Sequence, residues 1–139
     1  MTALRRATLV DAVAIRDLTR AAYAKWVPLI GREPLPMRVD YSVAVVEHII
    51  DVYETERRIA ALVEIVPKES YLLIENIAVS PDVQGMGIGN LLVDHVEAMA
   101  RALHLGEVRL YTNAAFTSNI EFYARRGFQE FQREPFPTG

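Results

Sequence analysis

Cysteine is absent from the 139-residue sequence, so a disulfide framework, a cysteine nucleophile and a thiolate metal site are all excluded. Glycine and proline are sparse at seven each, and no low-complexity run or flexible linker divides the chain. No apolar run approaches the roughly 20 residues that span a bilayer, and the N-terminus lacks the apolar stretch of a signal peptide. We therefore expect one domain, residues 1–139, with a cytoplasmic location and no membrane partner.

Neither sign of charge is in large excess, since 15 Lys+Arg stand against 18 Asp+Glu for a formal net charge of −3. A mildly acidic chain of this kind is not expected to bind nucleic acid. The hydrophobic content of 51% argues against disorder. His95 and His104 fall on opposite sides of a predicted helix, and His48 has no partner at ligand spacing, so no metal is expected.

The periodicity of apolar residues predicts strands and helices in mixed order, an α+β or α/β layout with one local strand–helix–strand unit. In the first half, a strand is predicted at Leu4–Ala7 and a helix capped by Thr8 that runs to about Tyr23. A loop is predicted at Trp26–Met37 and a short helix within Tyr41–Ile50. In the second half, a hairpin is predicted from Val52-Tyr53 and Ile59–Val66. It is followed by a strand at Tyr71–Val79, a helix at Leu92–Leu103, a strand at Val108–Tyr111, a helix at Ser118–Arg126 and a last strand at Phe128–Gln132.

The most informative segment is the glycine-rich turn from Gln84 to Gly89, which lies between a buried strand and a helix. Free backbone N–H groups and the positive end of a helix dipole favour an anion there. A Walker loop would end in Gly-Lys-Ser/Thr, and a dinucleotide fingerprint would place its third glycine one residue later, so neither motif fits. A glycine-rich turn without a ligand stays open from the spacing alone.

Two segments together resemble the GCN5-related N-acetyltransferase superfamily. One is Gln84-x-x-Gly87-x-Gly89 following the strand that ends in Asn76–Pro81, and the other is Asn119–Phe128, which contains the Tyr-x-x-x-Gly-Phe pattern. The resemblance implies the acyl-CoA N-acyltransferase fold, an α+β fold with α/β/α layers, here without the family's last strand. Its central sheet is mixed and mostly antiparallel, with a splayed parallel strand pair. It implies an enzyme that moves an acetyl group from acetyl-CoA to a primary amine by direct attack in a ternary complex.

The resemblance also implies which residues bind the co-substrate acetyl-CoA. Main-chain groups of Ile77 and Val79 would pair with the pantetheine arm, and N–H groups of the glycine turn would hold the pyrophosphate, with the Gln84 side-chain amide as a further donor. The full set is Ile77, Ala78, Val79, Gln84, Gly85, Met86, Gly87, Ile88, Gly89, Asn90, Asn119 and Tyr123.

Two residues are candidates for the proton transfers that amine acylation needs. Tyr123 matches the tyrosine of the family and is the candidate acid, the alternative being a buried packing tyrosine. Glu75 is the candidate base, because an acid inside a buried strand is expected to have a raised pKa; a structural acid, or water as the base, is the alternative. Asn119 either contacts the pantetheine or caps its helix. Family members usually carry an asparagine at the position that Phe116 occupies here, and Asn119 is its candidate substitute.

The acceptor and the end of the chain leave several questions open. Tyr23, Trp26 and Tyr41 either line an acceptor pocket or pack in the core, and the amine acceptor itself is unspecified. Family members usually carry one more strand than the chain that ends at Gly139, which favours an edge covered by a second copy in a homodimer. The alternatives to an enzyme are an acyl-CoA-binding regulatory module without catalysis and a structural protein that keeps only the fold.

Overall fold

The computed structural model describes residues 3–112 and 115–130. Five strands form one sheet: β1 Ala3–Arg6, β2 Ile49–Thr55, β3 Arg58–Pro67, β4 Tyr71–Val79 and β5 Glu107–Leu110. They lie side by side in chain order, antiparallel from β1 to β4, with β5 parallel to β4. The predicted mixed, mostly antiparallel sheet with one parallel pair is therefore confirmed.

The helices differ from the predicted ones mainly in the first half. They are α1 Ala12–Tyr23, α2 Val27–Ile30, α3 Tyr41–Glu47, α4 Ile88–Ala102 and α5 Thr117–Arg125, with 3-10 turns at Leu9–Asp11, Ala24–Trp26, Leu35–Arg38 and Pro81–Val83. The predicted loop Trp26–Met37 is thus wrong, because it contains α2 and a 3-10 turn. Pro28 lies in the first turn of α2, where its fixed φ favours a helix, and Gly31 ends that helix at φ 73°.

The predicted last strand is not found where the structure describes the chain. Phe128, Gln129 and Glu130 carry no strand, and residues 131 and 132 lie outside the described residues. The chain instead makes a tight helix end after α5, in which the Phe128 N–H donates to the Tyr123 carbonyl at 3.0 Å. Gly127 has a φ of 93°, the left-handed conformation that commonly terminates helices.

The sheet has an apolar cluster on each face. On one face, Ile15 and Leu18 of α1 pack with Tyr41 and Ala44 of α3 over the sheet residues Ile50, Val52, Leu62 and Ala78. On the other, Leu92, Val96 and Ala100 of α4 pack over Ala61, Val63, Ile65, Leu72 and Ile74. Successive residues of β3 serve opposite clusters, as the strand period of two requires. No helix in the described ranges is long and apolar enough to cross a membrane.

A β-bulge in β4 marks the point where the sheet opens between β4 and β5. Glu64 of β3 pairs with Asn76 while the next residue, Ile65, pairs with Ile74, so Glu75 is the extra residue. The parallel pairing of β4 with β5 ends at Ile74 and Leu110. From Glu75 onward β4 is therefore bonded to β3 alone, and a gap separates it from the chain that leaves β5.

Candidate functional site

The last residues of β4 point main-chain groups into this gap. The Ser80 N–H donates to the Ala60 carbonyl at 2.8 Å. Antiparallel pairing alternates, so Ala78 also exchanges its bonds with β3, whereas Ile77 and Val79 direct their N–H and C=O groups the other way. The side chain of Ala78 is buried in the core. Ile77 and Val79 consequently offer the strand edge that an extended ligand can pair with.

Side chains already contact the carbonyls of that edge. The Tyr23 hydroxyl lies 3.4 Å from the Ile77 carbonyl, and the Gln84 Nε2 donates to the Val79 carbonyl at 3.1 Å. The predicted amide donor of Gln84 is thus bonded to protein, where it ties the glycine turn to the end of β4. The N–H groups of Ile77 and Val79 are the donors left facing the gap.

The turn between β4 and α4 presents a row of backbone donors. Gly85 and Gly87 adopt φ values of 82° and 84°, which residues with a Cβ rarely take. Along Gln84 to Asn90, no hydrogen bond from a backbone N–H is found to any described residue, and the first helical bond is from Leu91 to the Gly87 carbonyl at 3.2 Å. Unpaired N–H groups at the positive end of the 15-residue helix α4 fit an anionic group such as a pyrophosphate.

Gly89 lets α5 approach the start of α4. A Cβ built on it would lie 3.3 Å from the tip of the Phe122 ring of α5. Arg126, just beyond α5, ties the same two helices by ion pairs to Asp94 at 2.7 Å and Glu97 at 3.1 Å. Met86 is 71% exposed at the tip of the turn. The helix that carries Asn119 and Tyr123 is therefore fixed against the glycine turn.

A cleft lies at the open part of the gap and brings together four of the predicted site residues, Glu75, Ile77, Asn119 and Tyr123. Its lining comes from β4, from the end of β5, from α5 and from the α1 side of the fold. The complete set is Tyr23, Pro36, Ile74, Glu75, Asn76, Ile77, Leu110, Tyr111, Thr112, Phe116, Asn119 and Tyr123. The predicted residues of the glycine turn are not part of this lining.

Tyr123 presents a protonated hydroxyl to the cleft. Burial raises the pKa of Tyr123 above its usual value, because the phenolate would lose its hydration. Its ring is held edge-on by Phe122 and Phe128, with centroids 5.2 and 5.5 Å away. Among the described residues its hydroxyl has no hydrogen-bond partner. The hydroxyl therefore stays protonated near neutral pH and is free to donate a hydrogen bond into the cleft.

Glu75 differs from the expectation on one point: it is exposed, not buried within its strand. The bulge turns this extra residue towards the cleft, so the desolvation that motivated its choice is absent. The buried acid is Glu64 on the neighbouring strand, 2% exposed, whose pKa is raised by burial. His48 Nδ1 lies 2.6 Å from the Glu64 Oε2 and satisfies that carboxyl.

Asn119 does not cap its helix. Phe116 occupies the N-cap position of α5 and no side chain caps it, while Asn119 lines the cleft one turn before Tyr123. Phe116 is buried and stacks on Trp26 with centroids 4.6 Å apart and planes at 22°. Phe116, at the position where the resemblance implies an asparagine, thus forms a tightly packed part of the cleft lining.

A buried polar network backs the cleft. The Tyr23 hydroxyl donates to the Asn76 Oδ1 at 2.8 Å, Asn76 Nδ2 donates to the Tyr41 hydroxyl at 3.3 Å, and Tyr41 donates to the Pro36 carbonyl at 2.7 Å. Burial raises the pKa values of both tyrosines. Tyr23 therefore lines the cleft, which is one of the two placements expected for it. Tyr41 and Trp26 are buried behind the cleft.

Thr112 is a cleft residue that the sequence analysis missed. Its Oγ1 is buried and has no hydrogen-bond partner in the described part of the chain. An orphan hydroxyl is costly unless a ligand satisfies it. Its only sequence signal is a small polar residue following an apolar strand, which is also typical of ordinary turns.

Comparison with known families identifies the arrangement. The model of the "Acetyltransferase (GNAT) family" matches residues 14–128. The curated amino-acid acetyltransferase of Mycobacterium tuberculosis is 39% identical over 62 residues, which are 45% of this chain and 33% of that protein. The chain thus spans about a third of the length of this relative.

Solved structures share the fold at low sequence identity. The PaiA N-acetyltransferase of Thermoplasma acidophilum, solved with coenzyme A, superposes with a TM-score of 0.87 at 15% identity, covering 97% of this chain and 94% of that one. A GNAT family acetyltransferase of Elizabethkingia anophelis, with acetyl-CoA bound, gives a TM-score of 0.71 at 19% identity over 94% of this chain and 78% of that one.

Proposed function

The chain belongs to the acetyltransferase (GNAT) family, and from that premise we propose that it transfers an acetyl group from acetyl-CoA to a primary amine by direct attack in a ternary complex. The observation that carries this proposal is the row of unpaired N–H groups from Gln84 to Asn90 beside an open strand edge at Ile77 and Val79. The row of N–H groups fits a pyrophosphate, and the strand edge fits the amide-bearing pantetheine arm. The two solved relatives that bind coenzyme A or acetyl-CoA support it.

The binding residues follow from that geometry. The N–H groups of the glycine turn hold the pyrophosphate, with Met86 at its tip, and Ile77 and Val79 pair with the pantetheine arm. Ala78 keeps these two residues in register through its bonds to β3, and Asn119 contacts the arm from α5. The residues proposed to bind are Ile77, Ala78, Val79, Gln84, Gly85, Met86, Gly87, Ile88, Gly89, Asn90, Asn119 and Tyr123.

The bound co-substrate supplies an activated acetyl thioester. Negative charge that develops on the carbonyl oxygen needs a preorganised donor, and a main-chain N–H of β4 near Val79, on the edge that is not paired with β5, is the candidate. Tyr123 holds a proton for the departing sulfur. Glu75, or water in its place, receives the proton of the attacking amine.

Binding of acetyl-CoA by isothermal titration is the first test. We expect micromolar binding to the wild-type chain and none to Gly87→Glu, which places a carboxylate where the pyrophosphate lies. Gly31→Glu is the matched control, because Gly31 has a similar φ of 73° and open space around its Cα but lies far along the chain from the turn. Loss of binding in Gly87→Glu with retention in Gly31→Glu separates ligand repulsion from backbone strain.

Catalysis is measured by release of free thiol from acetyl-CoA. Release that rises with added amine supports an acetyltransferase, whereas binding without amine-dependent release supports the non-catalytic module. A folded chain that does not bind acetyl-CoA overturns the proposal. A homodimer and a cytoplasmic location stay predictions, and light scattering on the purified chain tests the former.

A further inference from the structure

The charge lining the cleft has one sign. Of the 12 lining residues in the described chain, Glu75 alone is charged, and none is Lys, Arg or His. A ligand that enters the cleft therefore meets a carboxylate and no formal positive charge from the lining.

Glu75 is placed for a ligand and is not consumed by the fold. It is the extra residue of the bulge, exposed, and no described residue hydrogen-bonds or ion-pairs with its carboxylate. Most other acids near the sheet are already paired: Asp51 with Arg6 and His95, and Glu64 with His48. An unpaired carboxylate in a concave site is a cation-binding group.

The surroundings of Glu75 reinforce this polarity. The lining also includes three aromatic residues, Tyr23, Phe116 and Tyr123, and no basic one among the described residues. Buried Glu64 lies on the adjacent strand opposite Asn76. Residues of this lining are also those proposed to contact the acyl donor, so donor and acceptor share the cleft, which favours a small acceptor.

We infer that the acceptor is a small amine that carries a second positive charge, a diamine or polyamine, and that Glu75 binds the ammonium group that does not react, which leaves water to receive the proton of the attacking amine. The inference rests on the proposed acetyl transfer. A free α-amino acid is disfavoured, because its carboxylate would face Glu75 without a Lys or Arg to pair with. The acceptor of this chain thus differs from the one in the name of its amino-acid acetyltransferase relative.

The test compares three acceptors that share a reacting end and differ in the far end: 1,4-diaminobutane, butylamine and 4-aminobutanoate. We expect kcat/KM to fall in that order, with the diamine about tenfold or more above butylamine, since a charge-assisted contact supplies that factor. In Glu75→Gln the ratio of diamine to butylamine should fall towards one. Added salt should raise KM for the diamine more than for butylamine.

The ratio distinguishes recognition from general-base catalysis. A base that acts on every amine alike would lower all three rates by one factor and leave the ratio unchanged, which would overturn the inference. Glu69→Gln, an exposed acid in the turn before β4, makes the same change of net charge and should leave the ratio as in the wild type. Circular dichroism verifies that both variants fold.

Failure of the inference and failure of the proposed function give different results. Equal rates with all three acceptors, or a preference for 4-aminobutanoate, would overturn the cationic acceptor while acetyl transfer stands. Transfer to lysine side chains of peptides with no transfer to the diamine would overturn the small-molecule class. An absence of acetyl-CoA binding would remove the proposed function itself.

Discussion

Thr112 is the residue whose hydroxyl has most to gain from a ligand, because its buried Oγ1 bonds to nothing that the structure describes. Replacing it with valine removes no hydrogen bond from the free protein and exchanges an unsatisfied oxygen for a methyl group. We expect Thr112→Val to leave the melting temperature unchanged or slightly raised, and to lower kcat/KM for acetyl transfer by about tenfold.

Thr19→Val is the matched comparison. Thr19 is fully buried, and its Oγ1 lies 3.5 Å from Asn76 Nδ2, within the polar network behind the cleft. That variant should lose stability by about 1 kcal/mol in urea denaturation, since it leaves an amide donor less satisfied. If Thr112→Val lost stability instead while keeping full activity, the hydroxyl would have only a structural role.

The candidate site was predictable residue by residue to unequal degrees. Tyr123 follows from its motif, and the structure adds that it is half-buried and lines the cleft. Glu75 was found by position but with the wrong environment, because the bulge that exposes it depends on pairing with β3 and leaves no mark in an apolar run. Thr112 and Asn76 could not be found, since only tertiary contacts distinguish them from ordinary polar residues.

At the scale of elements, an ion-pair cluster joins the first strand to the first helix. Asp11 accepts two bonds from Arg5 of β1, at 2.9 and 3.0 Å, and one from the Thr8 N–H at 2.8 Å, as the predicted cap requires. The Arg5 guanidinium and this amide hold the pKa of Asp11 at about 2, below its usual 3.8. The carboxylate thus stabilises the fold above pH 4, and that contribution is lost as the pH falls through 2.

Asp11→Asn should therefore lower the free energy of unfolding by about 1–2 kcal/mol at pH 6, a value reduced for the partial exposure of Arg5. The difference from the wild type should shrink as the pH is lowered from 5 to 2 in urea denaturation. Asp17→Asn, an exposed acid paired with its neighbour Arg16, should cost little at any pH. A difference that stayed constant with pH would assign the effect to packing of the side chain.

Elements with a strong periodic pattern were predicted closely. The bounds of β4 are those expected, since Tyr71–Val79 is apolar nearly throughout, and α5 differs by one residue at each end. The helical turns between Trp26 and Met37 were missed because proline and glycine, which usually mark loops, here lie at helix termini. The hairpin turn has φ values of 46° at Glu56 and 69° at Arg57, which neither residue type favours.

For the molecule as a whole, ligand binding is expected to appear as thermal stability. A ligand that binds only the folded chain at 100 times its dissociation constant adds about 2.7 kcal/mol, which raises the melting temperature by roughly 10 °C for a chain of this size. We expect that shift with acetyl-CoA in differential scanning fluorimetry and none with Gly87→Glu. An equal shift in this variant would show that acetyl-CoA stabilises the fold from a different site.

For the whole molecule, the order of elements alone predicts an α+β or α/β layout, and the mostly antiparallel sheet was expected only from the resemblance. Mixed strands and helices, with one strand–helix–strand unit from β4 through α4 to β5, leave few arrangements other than helices on both faces of one sheet. The gap within the sheet was expected only from the resemblance. Its physical origin is the single extra residue at position 75, since parallel pairing to β5 stops one residue before it.

The same gap has a consequence for handling the protein in concentrated solution. From Glu75 to Val79, β4 lies inside the sheet but has an open edge like that of an outer strand. The N–H groups of Ile77 and Val79 have no partner among the described strands, and apolar side chains lie on both faces. Such an edge can recruit an extended segment of another chain. We therefore expect a ligand that pairs with Ile77 and Val79 to reduce aggregation, and we expect the ligand-free protein to self-associate more readily.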